Sequence, residues 1–274
     1  MMTEVTQTQE KLNQIEGHGW RLGLGNLLAK ENRTWWRSKR WIIQAALWTF
    51  ILDGLLVLLL FIIPRMVTPD GQPVMPGNTL QSAIQGFFNL SPLALALGII
   101  ILAQDIVIGE KQSGTAEWVL SKPASRYAFI LTKITANTLV VLITMITIPN
   151  LIAYTILWIF KGSVYPIIPF LSASGTVFLH VFFYLTLTIM AGVLASNRSL
   201  VLAISLGTLL GGSFLSNIVP ALSLATPWML PEICALIALG EVLPPLLIIP
   251  IISTLIWSLV FIFIALWKFQ KHEF

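Results

Sequence analysis

The chain has 274 residues, of which 56% are hydrophobic and 10% charged, against about 25% charged in an ordinary soluble domain, so a soluble globular protein is excluded. Its 16 Lys and Arg against 12 Asp and Glu leave a net charge of +4, and on so apolar a chain that excess marks the inner face of a membrane protein rather than a nucleic-acid surface. A lone cysteine, Cys234, excludes both an intramolecular disulfide and a cysteine-rich metal site.

Residues 1–18 are polar and hold no apolar run, which predicts a cytoplasmic leader, neither signal peptide nor span. From Gly19 to Arg40 an amphipathic helix is expected. Leu24, Leu27, Leu28, Glu31 and Trp35 form one stripe, while Lys30, Arg33, Arg37, Lys39 and Arg40 supply cationic anchors. Such a helix lies in the membrane interface.

Six apolar stretches follow, Trp41 to Ile63, Ser91 to Ile108, Ile134 to Phe160, Phe170 to Leu194, Leu200 to Val219 and Val242 to Trp267. Each approaches the roughly 20 residues that a helix needs to cross the hydrocarbon. Leu80 to Leu90 extends the second outward, and Pro149 and Pro250 are the kink candidates in the long third and sixth. An all-α membrane protein of six spans is therefore predicted. With the N-terminus inside, 14 of the 16 cations fall on inner segments, leaving Arg65 and Lys161 outside, so both termini are placed in the cytoplasm of a multi-pass protein. The outer segment Pro220 to Pro245 carries five prolines and is too apolar for a free loop. A pair of short helices re-entering the outer leaflet is expected there, with their irregular backbone covered by protein.

Motifs for independent chemistry are missing. The sequence contains no H-E-x-x-H, no G-x-S-x-G and no G-x-x-x-x-G-K-[ST], and His18, His180 and His272 lie far apart. The chain is thus expected to have no metal, no catalytic residue and no cofactor of its own. Charged or titratable groups inside spans are functional suspects, which selects Asp53 in the first and His180 in the fourth as candidates for a substrate path. Asp105 lies close to the inner interface. An interhelical hydrogen bond is the competing role for His180, as it is for Asp53. In the fifth span Gly207, Gly211 and Gly212 permit close helix approach, read here as packing within the subunit.

The inner loop from Gly109 to Lys133 is the most informative segment. Gly114 or Ser113 can cap a helix of about two turns with Glu117 in its first turn, Pro123 ends it, and Ser125 caps the next helix. Trp118, Val119 and Leu120 in so short an exposed element point to docking.

The run Glu110, Lys111, Gly114, Thr115, Glu117, Leu120, Ser121, Pro123, Ser125 and Arg126 resembles the E-x-x-x-G-T-x-E-x-x-L-S-x-P-x-S-R signature of permease subunits of the type-two ABC exporter class, similar to those of copper-enzyme maturation and drug-resistance exporters. Leu28, Lys30, Glu31 and Arg37 also resemble the elbow-helix pattern of that class, and Trp118 is bulkier than its pattern. The resemblance implies a six-span permease domain over residues 41–268, an elbow at 19–40, a coupling helix near 113–123 and a cytoplasmic tail at 269–274. It further implies a plasma-membrane dimer, export, and two separate ATPase subunits that bind ATP and Mg. Glu110, Glu117 and Arg126 would hold the ATPase electrostatically, with Trp118, Val119 and Leu120 filling its docking groove. The rival reading is a transporter or channel driven by an ion gradient through Asp53 or Asp105.

Overall fold

The computed structural model describes residues 19, 21–67, 71, 78–121 and 124–271. The predicted leader at 1–18, Pro123 and the last three residues of the tail lie outside that set. Among the described residues five helices are long and apolar enough to cross a membrane: Arg40–Arg65, Thr79–Gln112, Arg126–Lys161, Ile167–Leu194 and Pro245–Gln270. The chain is therefore a helical, multi-pass membrane protein. The predicted fifth stretch is also helical, but its apolar portion, Arg198–Gly212, is shorter than those five.

Helix α1 (Leu24–Trp36) lies against the start of the third span with the predicted stripe half-buried and Lys30 and Arg33 exposed. A tight turn then leads into α2 (Arg40–Val57), which passes into a π-helical segment, Leu58–Ile62. Helix α3 (Thr79–Ala103) starts with Asn78 accepting from the Gln81 N–H and absorbs the predicted extension at Leu80 to Leu90. After the short helices α4 (Ile108–Gln112) and α5 (Thr115–Leu120), α6 (Arg126–Val141) starts with the predicted cap, Ser125 Oγ accepting from the Ala128 N–H at 2.9 Å. A second π segment, Leu142–Thr147, joins α6 to α7 (Ile148–Lys161).

The two π segments have one physical cause. A proline inside a helix lacks its N–H and its ring crowds the carbonyl four residues earlier. Pro64 and Pro149 place those carbonyls at Leu60 and Met145, each inside a π segment, and Thr147 Oγ1 donates to the carbonyl of Leu142 at 2.8 Å. The wider π turn thus absorbs a clash that would otherwise kink the span. Pro250, the other kink candidate, behaves differently. It sits in the first turn of α12 (Ile248–Gln270), where its missing N–H has no partner to lose, so the helix begins there and is not bent.

Helix α8 (Ile167–Leu194) is the core of the bundle and packs on α3 and α12. Helix α9 (Arg198–Ile218) buries Val201, Ser205 and Leu209 on one face, and the hydroxyls of Thr188 and Ser205 meet at 3.1 Å. The glycine prediction here is corrected. Gly207 and Gly211 face open space, whereas Gly212 touches the Trp228 ring with no room for a Cβ. Two short helices do follow, α10 (Pro220–Leu224) and α11 (Leu230–Ala238), separated by a 3-10 turn at Pro227–Met229. Helix α11 packs on α3 and α8, with Ile233, Cys234 and Ala238 fully buried.

At one end of the bundle lie α1, α4, α5 and the terminus of α12, together with most of the described cations, whereas Arg65 and Lys161 lie at the other. At that second end the Tyr165 hydroxyl donates to the carbonyl of Ala238 at 2.7 Å, tying the third-to-fourth loop to α11. Burial raises the pKa of this phenol above its usual value, which keeps it a donor.

Candidate functional site

The cation-rich end is organised around a lysine that the sequence did not single out. Lys133, in the second turn of α6, is 2% exposed, and its Nζ lies 2.9 Å from Glu110 Oε1 and 3.3 Å from Glu31 Oε1. Lys30 Nζ approaches the same Glu110 oxygen at 3.8 Å, and the Phe129 ring lies under the Lys133 ammonium at 4.9 Å. A buried ammonium is costly unless charge and hydrogen bonds compensate it. Here one carboxylate comes from α1 and one from α4, so satisfying Lys133 joins three elements. Glu110 therefore faces inward, which corrects its expected place on the docking surface. Lys30 and Glu31 belong to the same clamp, and Arg37 is an exposed cation just beyond it.

The flanking ties are of the same kind. Lys111 Nζ donates to the carbonyls of Val193 and Ala195 at 2.9 and 3.3 Å, where the last turn of α8 leaves acceptors free. Arg198 at the start of α9 pairs with Asp105 at 2.6 Å. Arg126 Nη1 donates to the carbonyl of Gln270 at 2.7 Å, and the Tyr127 hydroxyl donates to its side-chain oxygen at 2.7 Å. Phe129 stacks on Phe269 beside them. Arg126 is thus also an internal tie, between α6 and α12.

What remains on the outside is the tip of α5. Gly114 precedes it with φ of 71°, a left-handed turn that only glycine adopts without strain. Ser113 and Thr115 hydroxyls meet at 2.8 Å across that turn, and Ser121 Oγ donates to the Trp118 carbonyl at 2.8 Å to close the last one. Glu117, Trp118 and Ser121 are exposed, Trp118 at 62%, whereas Val119 is 5% exposed and Leu120 is half-buried against the core. Val119 therefore faces the body of the bundle, unlike Trp118, because helical side chains one residue apart point about 100° apart, and Leu120 packs partly against the core.

The two candidates inside spans separate. His180 is 1% exposed; its Nδ1 lies 3.2 Å from the carbonyl of Pro92 and donates to it, while its ring meets Tyr184 edge-on. That is the interhelical bond between α8 and α3, and it accounts for the histidine without a substrate. Asp53 is 5% exposed, and among the described residues neither of its oxygens has a hydrogen-bond partner. Its depth follows from two close approaches on α3. Trp48 fills the notch at Gly98 and Leu59 lies on Gly86, so in this antiparallel pair Asp53 falls level with Pro92, near the layer of His180. Among the described residues no cluster of His, Cys, Asp or Glu could hold a metal ion.

A cavity of about 540 Å³ opens beside the clamp, bounded by Glu31, Lys133 and Asn137 at one side and Leu102 and Ile106 at the other. Comparison with curated proteins returns no match. A family model described as "ABC-2 family transporter protein" matches residues 25–233, from α1 through α5 and α8 into α11. An amphipathic helix clamped to a short helix at the cation-rich end, beside spans long enough to cross a bilayer, fits that assignment: the chain belongs to the ABC-2 transporter family and is a membrane permease component of an ABC transporter.

Proposed function

We propose that this chain is the permease subunit of an ATP-driven exporter, working as a dimer with two separate ATPase subunits that hold the ATP and Mg. The cation-rich end faces the cytoplasm, and the membrane is the plasma membrane. In this reading α9 is the sixth span, α1 lies in the inner interface, and α10 and α11 re-enter the outer leaflet. The observation that carries the proposal is the contrast within α5: an exposed Trp118 and Glu117 on a helix whose other residues are fastened to the body.

Docking there would transmit force efficiently. The ATPase would press on Trp118, Glu117 and Ser121. Glu110 and Lys133 would pass that displacement to α1 and α6, Lys111 to α8, and Asp105 to α9 through Arg198, so one contact reaches four elements without a flexible joint. The chain itself supplies no catalytic group, and the family membership implies an ABC ATPase as partner.

Glu117→Lys and Trp118→Ala test the docking face. Each changes an exposed side chain and should alter folding stability by no more than about 0.5 kcal/mol. Co-purification with the ATPase and substrate-stimulated ATP hydrolysis should fall in both. Normal binding and normal transport by both variants would refute the docking role. The orientation is tested at Glu241, which is exposed at the opposite end, because Cys234 is fully buried and a poor reporter. A cysteine placed there should react with an impermeant thiol reagent on intact cells, and reaction only after permeabilisation would reverse the assignment.

The unpartnered Asp53 favours one competing mechanism, coupling to an ion gradient. Reconstituted transport separates the two. ATP-driven transport that survives Asp53→Asn supports the exporter, and gradient-driven uptake abolished by that substitution, with no response to ATP, supports the ion-driven carrier.

A further inference from the structure

We infer that the cavity beside the clamp is a binding site for an anionic phospholipid of the inner leaflet, with the headgroup phosphate on Arg40. The inference begins with charge. Of the charged residues that line this cavity, Arg198 is paired with Asp105 at 2.6 Å, and Glu31 and Glu110 are balanced only by Lys133 together with Lys30, which lies outside the lining with its Nζ 3.8 Å from Glu110. Arg40 also lines it, is exposed, and has no carboxylate partner among the described residues. With Lys30 counted, the site therefore carries one uncompensated positive charge, on Arg40, next to Arg37 and Lys39 on the same turn. A group with a single negative charge completes it, whereas a zwitterionic headgroup brings an ammonium for which no free carboxylate remains.

The second observation is how the lining changes with depth. Beside the polar Gln44 and Asn137, the wall continues from the ion pairs along α2 and α3 as Ile43 and Leu102. Each lies one helical turn or less from a charged neighbour, about 5 Å farther along the span. Ile43 is 61% exposed on the outer surface of α2, so the cavity opens sideways toward the bilayer. A soluble anion would use the charged end and leave the apolar end wet. A lipid uses both, with its phosphate at the interface and the first methylenes of a chain along Ile43 and Leu102. Its volume of about 540 Å³ holds a headgroup and the start of a chain, not a whole lipid. The inference rests on the inward placement of the elbow and not on the ATPase partnership.

The test uses the purified full chain in nanodiscs of equal phosphatidylcholine and phosphatidylglycerol, with bound lipid counted by native mass spectrometry after release into detergent. The wild type should retain phosphatidylglycerol in preference to phosphatidylcholine. Arg40→Gln should lower that retention roughly fivefold, the effect of one interfacial cation, while Arg40→Lys keeps most of it and Arg33→Gln, on the far face of α1, changes nothing. Leu102→Trp fills the apolar end without removing charge and should also expel the lipid, which keeps the test open if Arg40→Gln misfolds. Equal retention of the two lipids overturns the inference. So does release of phosphatidylglycerol by millimolar inorganic phosphate with no effect of Leu102→Trp, which would make this a site for a soluble anion. No ATPase enters the measurement, so its failure leaves the exporter reading untouched.

Discussion

Lys133 and Asp53 are both almost fully buried, at 2% and 5% exposure, yet their surroundings are opposite. Lys133 has two carboxylates within 3.3 Å, and Asp53 has no hydrogen-bond partner for either oxygen. The difference separates two uses of a charge in a membrane protein. At the cation-rich end the charge is compensated by neighbours from other elements, and the compensation is itself the joint that holds α1, α4 and α6 together. In the first span no described residue bonds the carboxylate, so no joint between elements is built on it.

The largest expected effect comes from breaking the compensated site. Lys133→Met leaves Glu31 and Glu110 facing each other without their cation, and should destabilise the protein by about 3 kcal/mol, the cost of removing one partner of a buried pair. Unfolding in mixed micelles measures it, and adding Glu31→Gln should recover part of the loss, since the two sites share one network. A loss below about 0.5 kcal/mol would mean that water already compensates the cluster.

The next substitution attacks the packing that sets the depth of Asp53. Gly98→Val puts a branched side chain where the Trp48 indole lies and should cost about 1–3 kcal/mol through displacement of α2. The same assay measures it, and an unchanged protein would show that α2 slides freely on α3.

Asp53→Asn sharpens the contrast from the other side. Because no bond is lost and a membrane charge is removed, stability should stay level or rise by roughly 1 kcal/mol. A large destabilisation would mean that the carboxylate has a structural partner outside the described residues. The smallest effect is expected at the exposed pair. Asp105 and Arg198 are 49% and 55% exposed, so Arg198→Ala should cost less than about 1 kcal/mol, and the cost should shrink in high salt.

Several elements were legible before any fold was known. The apolar runs marked the spans, the stripe of Leu24, Leu27, Leu28, Glu31 and Trp35 marked the inward face of α1, and Ser125 marked the start of α6. Each rests on residues within a few positions of one another. Lys133 was not legible, because Glu31 is 102 residues away and a lysine near an inner interface reads first as a membrane anchor. Nor was the direction of Val119, since three apolar residues in succession do not say which of them faces the body.

The sequence by itself determined the solvent of this protein, the approximate spans, the cation-rich end and the family, because hydrophobicity, capping and a short linear motif are local properties that add along the chain. Only the tertiary structure decided that Glu110 and Arg126 are internal ties, that Gly212 and not Gly207 or Gly211 is the close contact within the chain, and that Asp53 is left alone while Lys133 is not. Those outcomes depend on which residues from distant segments arrive within about 3 Å, the range over which a hydrogen bond forms, and that distance is a property of the packed bundle.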